Sequence, residues 1–206
     1  MVTIVIKMMP LIKTGYWKIM QLFYTNKVTK MHLREISRKA KLHAPSTTTF
    51  LKSLEKDGVL KSEKDGNQKK YFLKLNYKTY AVFQLFDLEK LNALPNIRKN
   101  AIKYFLDYLK EKPLIAFVFG STAKGTFKED SDIDIFIITN SKINTEEAEK
   151  HAEALTGIRI STFQMRLEPF LKEIKLKEDP VIQSAIASGY PVLNNLYYYE
   201  ILYNGP

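Results

Sequence analysis

The sequence contains no cysteine in its 206 residues, which excludes disulfide scaffolds and thiolate metal sites and is typical of a reducing compartment. Its three histidines, His32, His43 and His151, are too scattered to predict a zinc site. No apolar run reaches the roughly 18 residues that a membrane helix needs. The apolar start, residues 1–6, lacks the basic region and the cleavage site of a signal peptide. These absences predict a cytoplasmic protein without a membrane partner.

Acidic residues are scarce in the first part of the chain. Residues 1–80 hold 17 Lys and Arg against 5 Asp and Glu, a balance of +12, whereas residues 81–206 hold 15 against 17, a balance of −2. The net charge of +10 therefore comes entirely from the N-terminal segment. This asymmetry predicts two modules with different partners, the first of which binds a polyanion. The alternative is that these lysines serve only solubility.

The most informative stretch runs from Phe119 to Phe136 and reads FGSTAKGTFKEDSDIDIF. Apolar runs with strand character precede and follow it, so Gly120 and Ser121 are predicted on the turn that leaves a strand. Because side chains alternate along a strand, Asp132 and Asp134 point to one face, about 6–7 Å apart. Mg²⁺ prefers carboxylates together with phosphates and water. Gly120 allows a phosphate to approach the backbone and Ser121 adds donors, so the stretch predicts a magnesium–nucleoside triphosphate site.

This stretch resembles the Gly-Ser…Asp-x-Asp signature of the DNA polymerase β-type nucleotidyltransferase superfamily, in particular its minimal nucleotidyltransferase branch. The resemblance covers about residues 100–195, and Lys124-Gly125 stands where an Arg-Gly pair is common. It implies that Asp132 and Asp134 are catalytic residues and the ligands of Mg²⁺.

The same resemblance implies roles for the turn. Gly120 and Ser121 would hold the β and γ phosphates of a nucleoside triphosphate, with ATP as the first choice. Lys124 would add positive charge and Gly125 would permit the loop to turn. The alternative is a β-hairpin with an acidic loop, in which the lysine is an ordinary solvated side chain.

One expected feature of the superfamily is missing from the sequence. Catalytically complete members commonly carry a third carboxylate on the strand predicted over residues 158–165, and this segment has no acid. The nearest acidic side chain is Glu168, which falls after the strand and is the candidate to replace that carboxylate. Two-metal phosphoryl chemistry requires that both ions be held. The resemblance therefore leaves two alternatives: a domain that catalyses nucleotidyl transfer, or a domain that only binds nucleotide.

Residues 14–78 are predicted to form a winged helix-turn-helix, within a domain spanning 1–78. Three helices with apolar stripes precede two strands around Asp65-Gly66, a strong hairpin signal. The exposed face of the third helix and the wing would contact DNA through Ser46, Thr48, Thr49, Lys52, Lys64, Lys69 and Lys70. The alternative is a module for dimerisation or protein binding.

Residues 79–112 are predicted to be a helical connector broken at Pro95, whose apolar stripes form a core or a homodimer seam. Residues 113–206 are predicted to be a small nucleotidyltransferase domain with a mixed sheet. The fold class expected for the whole chain is therefore α+β.

Two functions follow from these expectations. The first is an enzyme that transfers a nucleoside monophosphate from Mg-NTP to an acceptor, coupled to a DNA-binding module. The second is a DNA-binding regulator or antitoxin whose nucleotidyltransferase-like domain only binds nucleotide or a protein partner. A resemblance to antitoxin members of the minimal branch makes a toxin a candidate partner or protein acceptor.

Overall fold

The structure is a computed structural model that describes residues 14–205. It mixes helices with two sheets, which confirms the predicted α+β class. The chain divides between Phe86 and Asp87 into two compact units, called the N-terminal unit and the C-terminal unit below. The division into three parts predicted from the sequence, at residues 1–78, 79–112 and 113–206, has different boundaries and stays a prediction.

The N-terminal unit starts with three helices and a β-hairpin. Its elements are α1 (Thr14–Thr25), β1 (Met31–His32), α2 (Leu33–Ala40), α3 (Ala44–Lys56), β2 (Leu60–Asp65) and β3 (Gln68–Leu73). The strands form an antiparallel sheet in the order β1-β3-β2. The helices and the hairpin agree with the sequence pattern, whereas the short strand β1 is not predicted by it.

Local signals explain where these elements begin and end. Pro45 lies in the first turn of α3, where its missing N–H costs no helix hydrogen bond. Gly58 follows α3 with φ +73° and donates its N–H to Glu55 O, which closes the end of the helix. Gly66 has φ +59° in the hairpin turn. The core beneath includes Ile19, Phe23, Ile36, Leu51, Leu60 and Tyr71.

Helix α4 (Tyr77–Ala93) crosses the division between the units. The C-terminal unit continues with α5 (Asn96–Tyr108), β4 (Ile115–Val118), α6 (Gly120–Lys124), β5 (Ile133–Thr139), α7 (Glu146–Thr156), β6 (Ile160–Arg166), α8 (Leu167–Leu176), α9 (Pro180–Ser188), β7 (Tyr190–Leu193) and α10 (Asn195–Tyr203). Within residues 14–205, no helix combines the length and the apolar character needed to cross a membrane.

The sheet of the C-terminal unit has the order β6-β5-β4-β7 and is mixed, as predicted. Strand β4 is antiparallel to β5 and to β7, while β5 and β6 are parallel. One face of the sheet packs through Ile133, Ile135 and Ile137 against α5 and α7. The other face carries a stack of Phe117 on Phe136, with ring centroids 4.8 Å apart. Both faces are covered, which explains the continuous apolar runs of β4 and β5.

The apolar stripe of α5 is used inside the C-terminal unit. Ala101, Ile102, Phe105 and Leu109 are at most 4% exposed and belong to the core under the sheet. Of the two alternatives for this stripe, the structure agrees with a core, and these four residues are not available for a dimer seam. The homodimer itself stays a prediction.

Several small elements are absent from the sequence expectations. The turn after β4 is a short helix, α6, and the segments Tyr190–Leu193 and Asn195–Tyr203 form β7 and α10. Pro191 fits in β7 because this is an edge strand. Thr145 is the N-cap of α7, and Asn144 Oδ1 accepts the N–H of Glu146 at 3.0 Å.

Candidate functional site

The candidate site is built where β4 passes through α6 and returns as β5. Phe119 N donates to Asp134 O at 3.0 Å, so the antiparallel pairing of the two strands continues one residue beyond β4. Gly120 then has φ +66°, and a Cβ at this position would lie 2.1 Å from Asp134 Oδ2. Any other residue would be strained by this positive φ, and its Cβ would displace the Asp134 carboxylate. The glycine therefore allows the Asp134 carboxylate to lie against the backbone of the turn.

The two aspartates lie at the amino end of β5. Asp132 directly precedes the strand and Asp134 is its second residue, while Ile133 between them is fully buried. Both aspartates are partly exposed. Burial raises the pKa of Asp134, and the neighbouring negative charge of Asp132 raises it further, against the opposing charge of Arg98. This like-charge pair is the arrangement that a cation between the carboxylates relieves.

Arg98 is a buried cation beside the aspartates that the sequence pattern did not single out. It lies on α5, is 2% exposed, and its guanidinium carbon lies 4.3 Å from the centroid of the Phe127 ring. Its Nη2 donates to Thr122 Oγ1 at 2.8 Å and to Asp132 O at 3.0 Å. Arg98 thus ties α5 to both α6 and the start of β5.

The charge of Arg98 is only partly compensated. Its Nε and Nη1 have no hydrogen-bond partner within the described residues. Burial lowers the pKa of Arg98, and the charges of Asp132 and Asp134 oppose that shift. The signal available in the sequence was an arginine that falls on the apolar side of α5, three residues before Ala101 and four before Ile102.

The other predicted phosphate-binding residues share α6. Ser121 is partly exposed on its first turn, and Lys124 is exposed on its last. Gly125 ends the helix with φ +71° and open space around it. Thr126 N donates to Ser121 O at 3.0 Å and holds the turn closed. The structure therefore brings Gly120, Ser121, Lys124 and Gly125 together on one short segment facing the start of β5.

The strand beside the aspartates carries cations and hydroxyls instead of a third acid. Asp134 pairs in register with Ser161, and Ile133 N donates to Arg159 O at 2.9 Å. Arg159 Nε lies 3.8 Å from Asp132 Oδ2, with the arginine side chain 69% exposed. Within residues 14–205, no group of three or more His, Cys, Asp or Glu side chains is placed to hold a metal ion.

The prediction that Glu168 could replace the missing acid is wrong. It lies on α8, after the carboxyl end of β6, and forms an ion pair with Lys172 at 3.0 Å. Because β5 and β6 are parallel, Glu168 belongs to the opposite edge of the sheet from Asp132. The seven residues of β6 separate the two edges by about 20 Å.

The residues present fit a divalent cation. Asp132 and Asp134 supply carboxylate oxygens, and the Asp134 carboxylate lies against the backbone of Gly120 at the start of α6. Arg159 Nε lies 3.8 Å from Asp132 Oδ2, so the side chain beside this carboxylate is a cation and not another metal ligand. The donor set therefore suits a divalent cation such as Mg²⁺, which prefers carboxylate oxygens.

Comparison with known proteins identifies a family match for part of the chain. Residues 99–195 match the family Polymerase beta, Nucleotidyltransferase. The match covers just under half of the chain and supports the nucleotidyltransferase superfamily for that part. The matched range contains all the site residues described above except Arg98, which directly precedes the range. Nucleotidyltransferases of this family typically use a nucleoside triphosphate and Mg²⁺.

Other comparisons add little to the nucleotidyltransferase match. No curated protein matches the chain. A solved structure described as "Structure of TrmBL2, an archaeal chromatin protein, shows a novel mode of DNA binding" aligns with 18% identity over 78% of this chain and 74% of that chain. Its TM-score of 0.25 is too low to establish a shared fold.

The N-terminal unit presents the predicted polar face of α3. Ser46, Thr49 and Lys52 are exposed and Thr48 is partly exposed, while Thr47, Leu51 and Leu54 face the core. The hydroxyls of Thr48 and Thr49 donate to backbone carbonyls one turn earlier, at 2.9 and 3.2 Å. Their oxygens keep acceptor capacity for an external donor.

The lysines of the predicted wing differ in availability. Lys70 Nζ lies 2.7 Å from Asp65 Oδ2, and this pairing raises the pKa of Lys70 and lowers that of Asp65. Lys69 Nζ is 3.8 Å from Glu55 Oε1. Lys64 is exposed on β2 near the turn. The structure therefore separates Lys64 from two lysines that already face acids, a difference that the sequence alone did not indicate.

Proposed function

We propose that the C-terminal unit is a magnesium-dependent nucleotidyltransferase that moves a nucleoside monophosphate from an NTP to an acceptor hydroxyl. The observation that carries the proposal is the close approach of the Asp134 carboxylate to the backbone of Gly120, which places this carboxylate beside the short helix that bears Ser121 and Lys124. The family match over residues 99–195 supports the same reaction class.

The site residues divide the work in this proposal. Asp132 and Asp134 would hold Mg²⁺, which when bound neutralises charge on the triphosphate. Gly120 and Ser121 would bind phosphate oxygens, with Lys124 adding positive charge at the end of α6. Arg98 holds α6 and the Asp132 peptide in their relative positions through its two hydrogen bonds.

The proposed reaction is a displacement at the α-phosphorus. The acceptor oxygen forms a bond to this phosphorus, the bond to the bridging α–β oxygen breaks, and pyrophosphate leaves with that electron pair. The hydroxyl proton passes to water. What the chain itself contributes is position and charge, which supply most of the catalysis in phosphoryl transfer.

The test is incubation with each α-³²P-labelled NTP and Mg²⁺, ATP first, in the presence of cell extract. Transfer of label to a macromolecule is expected for the wild type and not for Asp132→Asn or Asp134→Asn. Asp130→Asn is the matched control, since Asp130 is an exposed acid in the same loop. Equal labelling by all three variants would contradict the proposal.

Binding without transfer is the competing outcome for this site. Calorimetric binding of an NTP with Mg²⁺, lost in Asp134→Asn but accompanied by no labelling, would favour a nucleotide-responsive regulator or an antitoxin. A toxin partner or protein acceptor would then be sought by labelling in extract of the native host.

A second function is favoured by the charge of the N-terminal unit. We propose that this unit is a winged helix-turn-helix that binds DNA, with α3 against the bases and the β2–β3 hairpin against the phosphates. The balance of +12 over residues 1–80 and the exposed polar face of α3 support this. Binding of a fluorescent random-sequence duplex that weakens steeply with salt is expected.

Lys52 provides the sharpest variant for the DNA proposal. It is exposed on α3, and no ion pair of the described residues involves it. Lys52→Ala should weaken binding and lower the salt slope by about 0.9. Lys172→Ala, on α8 of the other unit, is the control for a general loss of positive charge.

A further inference from the structure

Two arginines beside the carboxylate pair balance its two negative charges. Asp132 and Asp134 contribute two negative charges, and Arg98 and Arg159 contribute two positive ones. The arginines come from α5 and from the segment that enters β6, so two separate elements deliver them to one place. This balance differs from that of a site built to attract two divalent cations.

Arg98 shows that the cationic character is built into the fold. Its side chain is 2% exposed, and two of its donor atoms, Nε and Nη1, are without a hydrogen-bond partner among the described residues. Burying a guanidinium without a carboxylate in direct contact is costly. A ligand with several negative charges bound beside it reduces that cost, which gives Arg98 a role when the site is filled.

Arg159 directly precedes β6 and lies beside Asp132. The backbone bond from Ile133 N to Arg159 O fixes this neighbourhood, and the parallel register continues it through Asp134 and Ser161. Arg159 is exposed and only loosely paired with Asp132 at 3.8 Å, so its fork of donors can turn toward a ligand. Guanidinium groups suit phosphate oxygens because they donate two parallel hydrogen bonds.

We propose that this site binds one divalent cation with its nucleoside triphosphate, and that Arg159 contacts the phosphate chain on the side where a second cation would lie. The inference rests on the proposed function and adds the metal stoichiometry and a substrate-binding residue. A second cation near Arg159 would meet a guanidinium and have no carboxylate of β6 to hold it.

The experiment is equilibrium dialysis of the full chain with Mn²⁺ and α,β-methylene-ATP, an analogue that nucleotidyl transfer cannot cleave. The Mn²⁺ retained per protein-bound nucleotide is counted, and electron paramagnetic resonance of free Mn²⁺ provides an independent count. One Mn²⁺ per bound nucleotide is expected for the wild type.

Variants at Arg159 test the second half of the inference. Arg159→Gln is expected to weaken nucleotide binding about tenfold, the loss of one charge-assisted contact, with the count of Mn²⁺ unchanged. Arg159→Asp places a carboxylate beside Asp132 and is expected to raise the count to two. Arg166→Gln, an exposed arginine at the far end of β6, is the matched control and should change neither quantity.

The outcomes distinguish a failure of this inference from a failure of the proposed function. Two Mn²⁺ ions on the wild type, or unchanged affinity in Arg159→Gln, overturns this inference and leaves the proposed function standing. An absence of bound nucleotide overturns both. Thermal denaturation of each variant shows whether a loss of binding comes from unfolding, which is not expected for a side chain that is 69% exposed.

Discussion

Gly120→Ala is the substitution whose effect follows most directly from the geometry. An L-residue at φ +66° costs about 1–2 kcal/mol of stability, whatever space surrounds it. The new methyl would also lie 2.1 Å from Asp134 Oδ2, so this oxygen must move by about 1.3 Å to reach ordinary contact at 3.4 Å. Because Oδ2 is the end of a short side chain, rotation of Asp134 relieves the clash at little cost to folding.

The expected result is therefore a large loss of function with a modest loss of stability. A displacement of about 1 Å at a reacting centre can reduce the rate about 100-fold. We expect Gly120→Ala to reduce Mg²⁺-dependent transfer, or Mg-NTP affinity, by that order. Denaturant unfolding should show a decrease of about 1–2 kcal/mol.

Gly157→Ala is the matched control for this prediction. Gly157 has φ +70°, ends α7 and has open space where a Cβ would lie. It should lose similar stability while keeping most of the activity. Equal loss of activity in the two variants would refute the inference that the Gly120–Asp134 contact positions the carboxylate.

Three further outcomes are expected. Arg98→Met should destabilise the fold by about 1–3 kcal/mol in urea, because the hydrogen bonds to α6 and to the Asp132 peptide are lost. Without added metal, the free energy of unfolding of the wild type should fall as the pH rises from 3.8 through the raised pKa of Asp134, because this carboxyl ionises more readily in the unfolded chain. Asp134→Asn should lack this fall when melting temperatures are compared across the same pH range. In DNA titrations against salt, Lys64→Ala should lower the slope by about 0.9, whereas Lys70→Ala, already paired with Asp65, should lower it less. A larger decrease in the salt slope for Lys70→Ala than for Lys64→Ala would contradict the inference that the pairing with Asp65 makes Lys70 less available to DNA.

Periodicity predicted the elements whose burial repeats regularly along the chain. The stripes of α1 to α3, the alternation at Asp132-Ile133-Asp134 and the apolar runs of β4 and β5 all carry such a signal. Strand β7 and helix α6 are four and five residues long, so no period is visible within them. Only their tertiary neighbours determine their conformation.

The same distinction applies to the candidate site. Gly120 and Asp134 could be predicted because motif and alternation fix them within 15 residues of each other. Arg98 could not, since it reaches Thr122 and the Asp132 carbonyl across 24 and 34 residues of chain. Likewise, pairing of Lys70 with Asp65 depends on the register of the hairpin. Long-range contacts of single side chains leave no periodic trace in the sequence.

Paired labelling of one NTP tests the central claim most directly. The purified chain is incubated with cell extract, Mg²⁺ and ATP labelled with ³²P at either the α or the γ phosphorus. We expect the α-label to enter a macromolecule and the γ-label to leave as pyrophosphate, and we expect Asp134→Asn to abolish the transfer. Transfer of the γ-label, or α-labelling that persists in Asp134→Asn, would contradict it.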